Sequence, residues 1–120
     1  MKIIGIDPGL IQTGFGIINV SNNQTTLIDY GIIKPQAKDT LANRLLTIFN
    51  DVCEIISNYN PQIFAIEEVF YGKNVKSAMR LGQARGASMV AAASKNIPIY
   101  EYSPRKVKQS ITGNGNAHKT

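Results

Sequence analysis

Residues 2–20 read KIIGIDPGLIQTGFGIINV, an apolar run that ends on one carboxylate, Asp7, and turns at once through Pro8-Gly9. Ile3, Ile4 and Ile6 are β-branched, which fits a strand over Lys2–Asp7. Beyond the turn, Gly14–Val20 carries Phe15 and Ile17 on one side and Ile18 and Val20 on the other, a pattern that predicts a second strand buried on both faces. The SNNQ at 21–24 supplies a turn, because asparagine tolerates left-handed backbone, and TTLIDYGII at 25–33 resumes as a third strand. The first 33 residues therefore predict a three-stranded antiparallel meander.

A helix follows, opened by Asp39 or Thr40 as N-cap. Its apolar positions Leu41, Leu45, Ile48, Val52, Ile55 and Tyr59 step alternately by four and three, and Leu46, Phe49, Cys53 and Ile56 widen the stripe. The expectation is a deeply packed helix with Cys53 as a small core residue. Pro61 ends the connection into QIFAIEEVF at 62–70, where Ile63–Ile66 reads as a central strand covered on both sides. Residues 74–95 predict a second long helix, and IPIYEY at 97–102 predicts a fifth strand. SPRKVKQSI at 103–111 predicts a short helix capped by Ser103 with Pro104 in its first position, before the flexible TGNGN. The order is that of an α/β fold with a mixed sheet.

A chain of 120 residues is one domain's worth, 1–120, with 43% hydrophobic and 18% charged residues and no low-complexity tract, so a folded class is favoured over a disordered one. Cys53, the single cysteine, can form neither an internal disulfide nor a zinc site with other thiols, which suits a cytosolic location. Nothing at the amino terminus has the shape of a signal peptide, and no apolar run approaches the roughly 20 residues of a membrane span. The net charge of +5 is unevenly placed: residues 1–70 hold four Lys/Arg against seven Asp/Glu, and residues 71–120 hold nine against one. Halves of −3 and +8 suit a protein that attracts a polyanion and holds cations against it.

Asp7 and Glu67 each close a buried strand, where the strands of an α/β sheet present functional groups. Adjacent strands lie about 4.8 Å apart, so two such acids can reach one small volume, where they repel unless a proton or cation intervenes. Oxygen ligands and a substrate phosphate are what Mg²⁺ prefers, and metal-assisted phosphodiester hydrolysis is the chemistry they suggest. Strand alternation allows only one of Glu67 and Glu68 to point with Asp7; periodicity leaves the choice open.

In this order and spacing, GIDPGLIQTGFGI, FAIEEVF, LGQARGA and VKQSITGNGNAHK resemble the RuvC-type Holliday junction resolvases, over essentially the whole chain. The resemblance implies a ribonuclease H-like fold, an antiparallel meander followed by two parallel strands with flanking helices. It implies a homodimer that cuts four-way junction DNA in two opposed strands, using two Mg²⁺ or Mn²⁺ per complete site, and that works with branch-migration proteins. On its motifs Asp7 and Glu67 match the first two catalytic metal ligands, and Glu67 is selected over Glu68. Phe70 matches an aromatic that stacks near the crossover, and Lys108 and Lys119 match basic residues near the cut. Two further family carboxylates come from a carboxy-terminal helix that would lie beyond Thr120. The site as written is then incomplete, and little Mg²⁺-dependent cleavage of a synthetic junction is expected of these 120 residues.

In the second helix Ala78, Gly82 and Gly86 recur every four residues, a smooth stripe along which another backbone can approach. The resemblance implies dimerisation there, with Met79, Met89 and Val90 adding apolar contact. Lys73, Lys76, Arg80 and Arg85 flank the stripe and could track DNA phosphates, which position a duplex without reading its sequence. His118, the lone histidine, reads as a solvent-exposed tail residue. Three competing readings differ in class. One is a fragment of an actin-like ATPase or sugar kinase, whose phosphate-binding opening is similar; another is a YqgF-type RNA nuclease; the third is a junction-binding module that does not cut. Junction binding in Ca²⁺ followed by Mg²⁺, with ATP turnover measured alongside, separates them.

Overall fold

The computed structural model describes residues 1–68 and 74–102. Five strands, β1 (Lys2–Asp7), β2 (Thr13–Ser21), β3 (Gln24–Ile33), β4 (Ile63–Glu67) and β5 (Ile99–Tyr102), alternate after the third with helices α1 (Leu41–Tyr59) and α2 (Val75–Ser94). They form one sheet in the order β3-β2-β1-β4-β5. β1, β2 and β3 pair antiparallel, and β1, β4 and β5 pair parallel. The mixed sheet expected from the sequence is the one observed.

Local chemistry accounts for the joints. Asn22 and Asn23 take φ of 52° and 64° at the β2–β3 hairpin, the left-handed pair that a two-residue turn between twisted strands requires. Thr40, rather than Asp39, caps α1, its Oγ1 accepting from the Asn43 N–H at 3.2 Å. Asn60 closes the helix with φ 52° and gives its N–H to the Ile56 carbonyl at 2.8 Å, and Pro61 prevents continuation. Asn74 caps α2 through the Ser77 N–H at 3.1 Å.

Both helices cover the same face of the sheet. Ile4, Ile6, Ile17, Phe64 and Ile66 from the strands join Ile48, Val52 and Ile56 of α1 and Ala84, Ala91 and Ala92 of α2 in one buried cluster. Small residues on the inner side of α2 let it sit close to α1 and the sheet. Full burial of Phe64 and Ile66 contributes on the order of 2–3 kcal/mol each. This arrangement corrects two expectations. The outward side of the sheet, with Tyr30, Ile32 and Tyr100 exposed, is not covered by any described residue, so β2 and β4 are buried on one face only; Val20 is exposed as well. The stripe on α1 is also narrower than expected: Leu41 and Leu46 are 41% and 53% exposed, because the helix meets the sheet on one side and α2 along an edge. Cys53 packs against the core, as expected. The strand read over 62–70 ends at Glu67, and its last two residues, like the helix read over 103–111, lie outside the described residues.

The sheet end remote from Asp7 is tied down by polar bonds. The Lys2 N–H donates to the Gln62 Oε1 and the Gln62 N–H to the Lys2 carbonyl, both at 2.9 Å, while Lys2 Nζ reaches the Tyr59 carbonyl at 3.1 Å. The Tyr59 hydroxyl donates to Asp29 Oδ2, joining the last turn of α1 to β3. That bond, followed by the Tyr30 N–H, holds the Asp29 carboxyl below its ordinary 3.8. The same bond is the main cause that raises the Tyr59 phenol above its ordinary 10.0. The depressed acid contributes stability above its unfolded value, lost as pH falls through the folded one; the raised phenol contributes below its unfolded value, lost as pH rises through the folded one. Tyr59→Phe should therefore be less stable than the parent between about pH 5 and pH 9, with the gap closing at both extremes. Urea midpoints across the pH range measure it; a gap that stays constant to low pH would show that no Asp29 bond is involved.

Candidate functional site

In the parallel pairing of β1 with β4, Ile6 lies opposite Ile66, so the next residues, Asp7 and Glu67, stand level at the carboxyl ends of the two strands. Ile4, Ile6, Phe64 and Ile66 point into the core, and alternation sends Asp7 and Glu67 to the uncovered face. Glu68 follows the last strand residue; it is exposed, and its N–H donates to the Tyr102 carbonyl at 2.6 Å. The side-chain ambiguity between the two glutamates is thus resolved by register. Asp7 is exposed and Glu67 half-buried, and neither carboxylate has an ion-pair partner among the described residues.

The two acids open on a hollow of about 330 Å³ lined also by Gly5, Gly14, Phe15, Gly16, Gly31 and Tyr102. Gly5 and Gly16 face each other across the β1–β2 pair, and a Cβ on either would meet nothing within 4 Å. The floor is bare backbone, open to the close approach of a ligand. Tyr102 stands opposite Glu67 on β5. Burial first, and then the charges of Glu67 and Asp7, push its phenol above the usual range, so it stays protonated at neutral pH.

Two supports hold this site, and one of them, Thr13, is not among the residues singled out from sequence. Thr13 is completely buried, and its hydroxyl donates to the Gly9 carbonyl at 2.8 Å while accepting the Gly9 N–H at 3.2 Å. This double bond pattern fixes the turn that leaves Asp7; the four-residue spacing from glycine to threonine is its only local signal. Arg85, a DNA-tracking candidate from the sequence, also has a structural task. Its guanidinium pairs with Glu101 on β5, its Nε donates to the Glu67 carbonyl at 3.4 Å, and one amino group contacts Met89 Sδ at 3.3 Å. α2 thereby holds the carboxyl ends of β4 and β5 in place.

The other candidates divide by location. Lys76 and Arg80 are exposed on the first turns of α2. Ala78, Gly82 and Gly86 are half-buried, and Met79 and Val90 are 61% and 57% exposed, whereas Met89 packs against the core. Gly86 and Val90, with Gln83 and Ala87, form one wall of an apolar groove of about 470 Å³, and Leu45, Leu46 and Phe49 of α1 form the other. Phe70, Lys73, Lys108, Lys119 and His118 lie outside the described residues. Among the described residues no group of three or more His, Cys, Asp or Glu side chains is placed to share a metal ion, and no helix is long and apolar enough to cross a membrane.

A family model described as Crossover junction endodeoxyribonuclease RuvC matches residues 3–120. The chain belongs to the RuvC family. It is 48% identical over 118 residues to the RuvC of Saccharophagus degradans, covering 98% of this chain and 68% of that protein. With the RuvC of Caldicellulosiruptor saccharolyticus it shares 46% over 121 residues, 100% of this chain and 73% of that one. Thermus thermophilus RuvC, solved in complex with a Holliday junction substrate, superposes with a TM-score of 0.86 at 30% identity, over 93% of this chain and 72% of that one. The ribonuclease H-like RuvC architecture is therefore the fold of this chain, and family membership excludes the kinase-like and RNA-nuclease readings.

Gly9 tests the tight turn that leaves Asp7. A Cβ on Gly9 would stand 2.3 Å from the Gln12 carbonyl oxygen, against open space at Gly16. Gly9→Ala should cost about 1–3 kcal/mol in stability, while Gly16→Ala should stay within about 1 kcal/mol of the parent. Thermal unfolding of the two variants distinguishes them, and equal behaviour would contradict the close approach of Gly9 to the Gln12 carbonyl.

Proposed function

We propose that this chain is a structure-selective endodeoxyribonuclease that hydrolyses phosphodiesters at four-way DNA junctions, with Asp7 and Glu67 as ligands of a divalent metal, Mg²⁺ first and Mn²⁺ second. One observation carries the reading. Two carboxylates stand level on adjacent parallel strands, on one face, at the rim of a glycine-floored hollow, with no ion-pair partner among the described residues. An all-oxygen pair of this kind suits a hard cation that keeps open positions for water and phosphate. Such an ion, when bound, supplies charge stabilisation on the phosphoryl oxygens and a more acidic water.

The chain's own residues do the positioning. β1 and β4 aim the two carboxylates rigidly, and the Thr13 clamp on Gly9 turns the following loop away from the hollow. The bare backbone of Gly5, Gly14 and Gly16 leaves room for a sugar-phosphate chain against the sheet. Tyr102, protonated beside Glu67, offers a hydroxyl donor at the hollow's edge. Exposed Lys76 and Arg80 supply phosphate attraction that orients DNA without reading sequence. Phe70, Lys108 and Lys119 take the stacking and phosphate-contacting roles that the resemblance assigns them, and Lys73 joins Lys76 and Arg80 as a phosphate-tracking residue.

A homodimer fits this chemistry, since a two-fold pair presents two identical sites to a substrate of the same symmetry. The groove between α1 and α2 supports that assembly. It is apolar, bordered by exposed Leu46 and Val90, and lined also by Gln83, whose Oε1 is buried without a hydrogen-bond partner among the described residues.

The test uses a labelled four-way junction and a linear duplex of the same sequence. In Ca²⁺ the chain should bind the junction at least tenfold more tightly than the duplex. Mn²⁺ binding, followed by electron paramagnetic resonance, should weaken at least tenfold in Asp7→Asn and in Glu67→Gln but stay unchanged in Glu68→Gln. Strand cleavage on exchange into Mg²⁺ should follow the same three variants. Equal affinity for junction and duplex would overturn the substrate assignment, and a Glu68→Gln defect equal to that of Glu67→Gln would overturn the ligand assignment.

A further inference from the structure

The loop that leaves Asp7 has a second wall. Gly9, Leu10, Ile11 and Gln12 face α1 and α2 across a cavity of about 450 Å³, whose helical side carries Arg44, Ser77, Arg80 and Leu81. A smaller compartment of about 190 Å³ shares Leu10, Arg44 and Arg80 and adds Asp39 and Leu41. Two guanidinium groups from different helices therefore border the same hollow. Arg80 is one of the phosphate-tracking candidates of α2, and the cavity adds Arg44 of α1 to it.

Neither arginine has an ion-pair partner among the described residues, and Asp39, the one carboxylate lining the smaller compartment, pairs with neither. Arg44 is half-buried and already oriented: its Nε donates to the Gln36 carbonyl at 3.3 Å. That bond occupies the edge near the backbone and leaves the terminal amino groups for another acceptor. Like charges lining one cavity are unfavourable unless an anion joins them, and a guanidinium pair matches the oxygens of a phosphate in geometry as well as charge. The Ser77 hydroxyl adds a neutral donor on the same side.

Position decides which anion. Gly9 is two residues beyond Asp7, so its Cα lies within about 7 Å of the Asp7 Cα. Phosphates along one strand of a duplex are spaced about 3.4 Å along the axis. The loop that walls the cavity thus begins at the carboxylate pair, and a strand held there by one phosphate can carry another past it. We infer that Arg44 and Arg80 form a second phosphate site, holding a backbone phosphate of the DNA one to a few nucleotides from the one at the carboxylate pair. This inference rests on the nuclease reading above and adds to it a fixed anchor that sets the direction in which the strand leaves the site.

The experiment measures junction binding in Ca²⁺, by fluorescence anisotropy of a labelled four-way junction over a salt series from about 50 to 200 mM. Arg44→Gln and Arg80→Gln should each weaken binding about tenfold at the low-salt end. Each should also reduce the steepness of the log affinity against log salt plot by about one per chain. Arg44→Lys, which keeps the charge, should recover part of the affinity and most of the slope. Unfolding midpoints of all variants check that the bond to Gln36 is not the whole effect. Unchanged affinity and slope in both glutamine variants, with the parent binding junctions normally, would overturn this site and leave the nuclease reading standing. A parent that does not prefer junctions would instead overturn the nuclease reading. Inorganic phosphate bound by the parent and lost in Arg44→Gln, with junction binding unaffected, would mark a small-anion site and equally defeat the DNA assignment.

Discussion

Everything at the site depends on the register of one parallel strand pair. Ile6 lies opposite Ile66, and from that pairing follow the level of Asp7 with Glu67, their common face and the exclusion of Glu68. A slip of one residue would turn every side chain of β4 to the other face, burying Glu67 among Phe64's neighbours and exposing the apolar set. The cost of burying an unpaired carboxylate and exposing Phe64 and Ile66 guards the register. Core packing is thus also the device that aims the carboxylates, and no separate scaffold is needed for them.

The supports around that pair share a logic of removing freedom from backbone rather than adding side chains to the hollow. Thr13 bonds both polar groups of Gly9, Arg85 holds the carbonyl of Glu67 and the carboxylate of Glu101, and glycine fills the floor. A carboxylate placed on a strand end loses little entropy on binding a cation, because its backbone is already fixed. Meanwhile the polar ties at Lys2, Gln62 and Tyr59 sit at the opposite end of the sheet. Both ends of the sheet are thereby tied down by polar bonds.

Much of this was visible in the amino-acid sequence because the signals are local. The bounds of β1 follow from its β-branched run and the Asp-Pro-Gly turn, the hairpin from Asn22-Asn23, and the end of α1 from Asn60-Pro61. Asp7 and Glu67 drew attention because a carboxylate after an apolar run contradicts simple burial. What stayed hidden was decided between segments far apart in the chain. Glu67 and Glu68 cannot be separated without knowing which side of β4 the helices cover. Leu46 looked like a core residue because the width of an apolar stripe says nothing of how many partners face it. Arg85 resembled any exposed basic residue until Glu101, sixteen positions away, took its charge. Arg44 was overlooked because its meaning comes from a second arginine on another helix and from a loop thirty residues earlier.

The order of the strands along the chain also separates two stages of order. β1, β2 and β3 are joined by short turns and pair with sequence neighbours, while β4 reaches β1 only after the segment between Asp7 and Glu67 has been closed into a loop. With the meander formed, the roughly 30 residues between Ile33 and Ile63 remain to be closed, at about 2 kcal/mol more than a minimal loop, and contacts so distant in sequence are the slower ones to form. A molecule in which the meander has formed but β4 is still undocked carries Asp7 with no Glu67 beside it. Such a species has a strand-end acid and an open turn but lacks the paired carboxylates, so the capacity to act on a phosphodiester arrives only with the central parallel contact. The carboxylate pair is thus a product of the central long-range contact of the sheet rather than of its first turns.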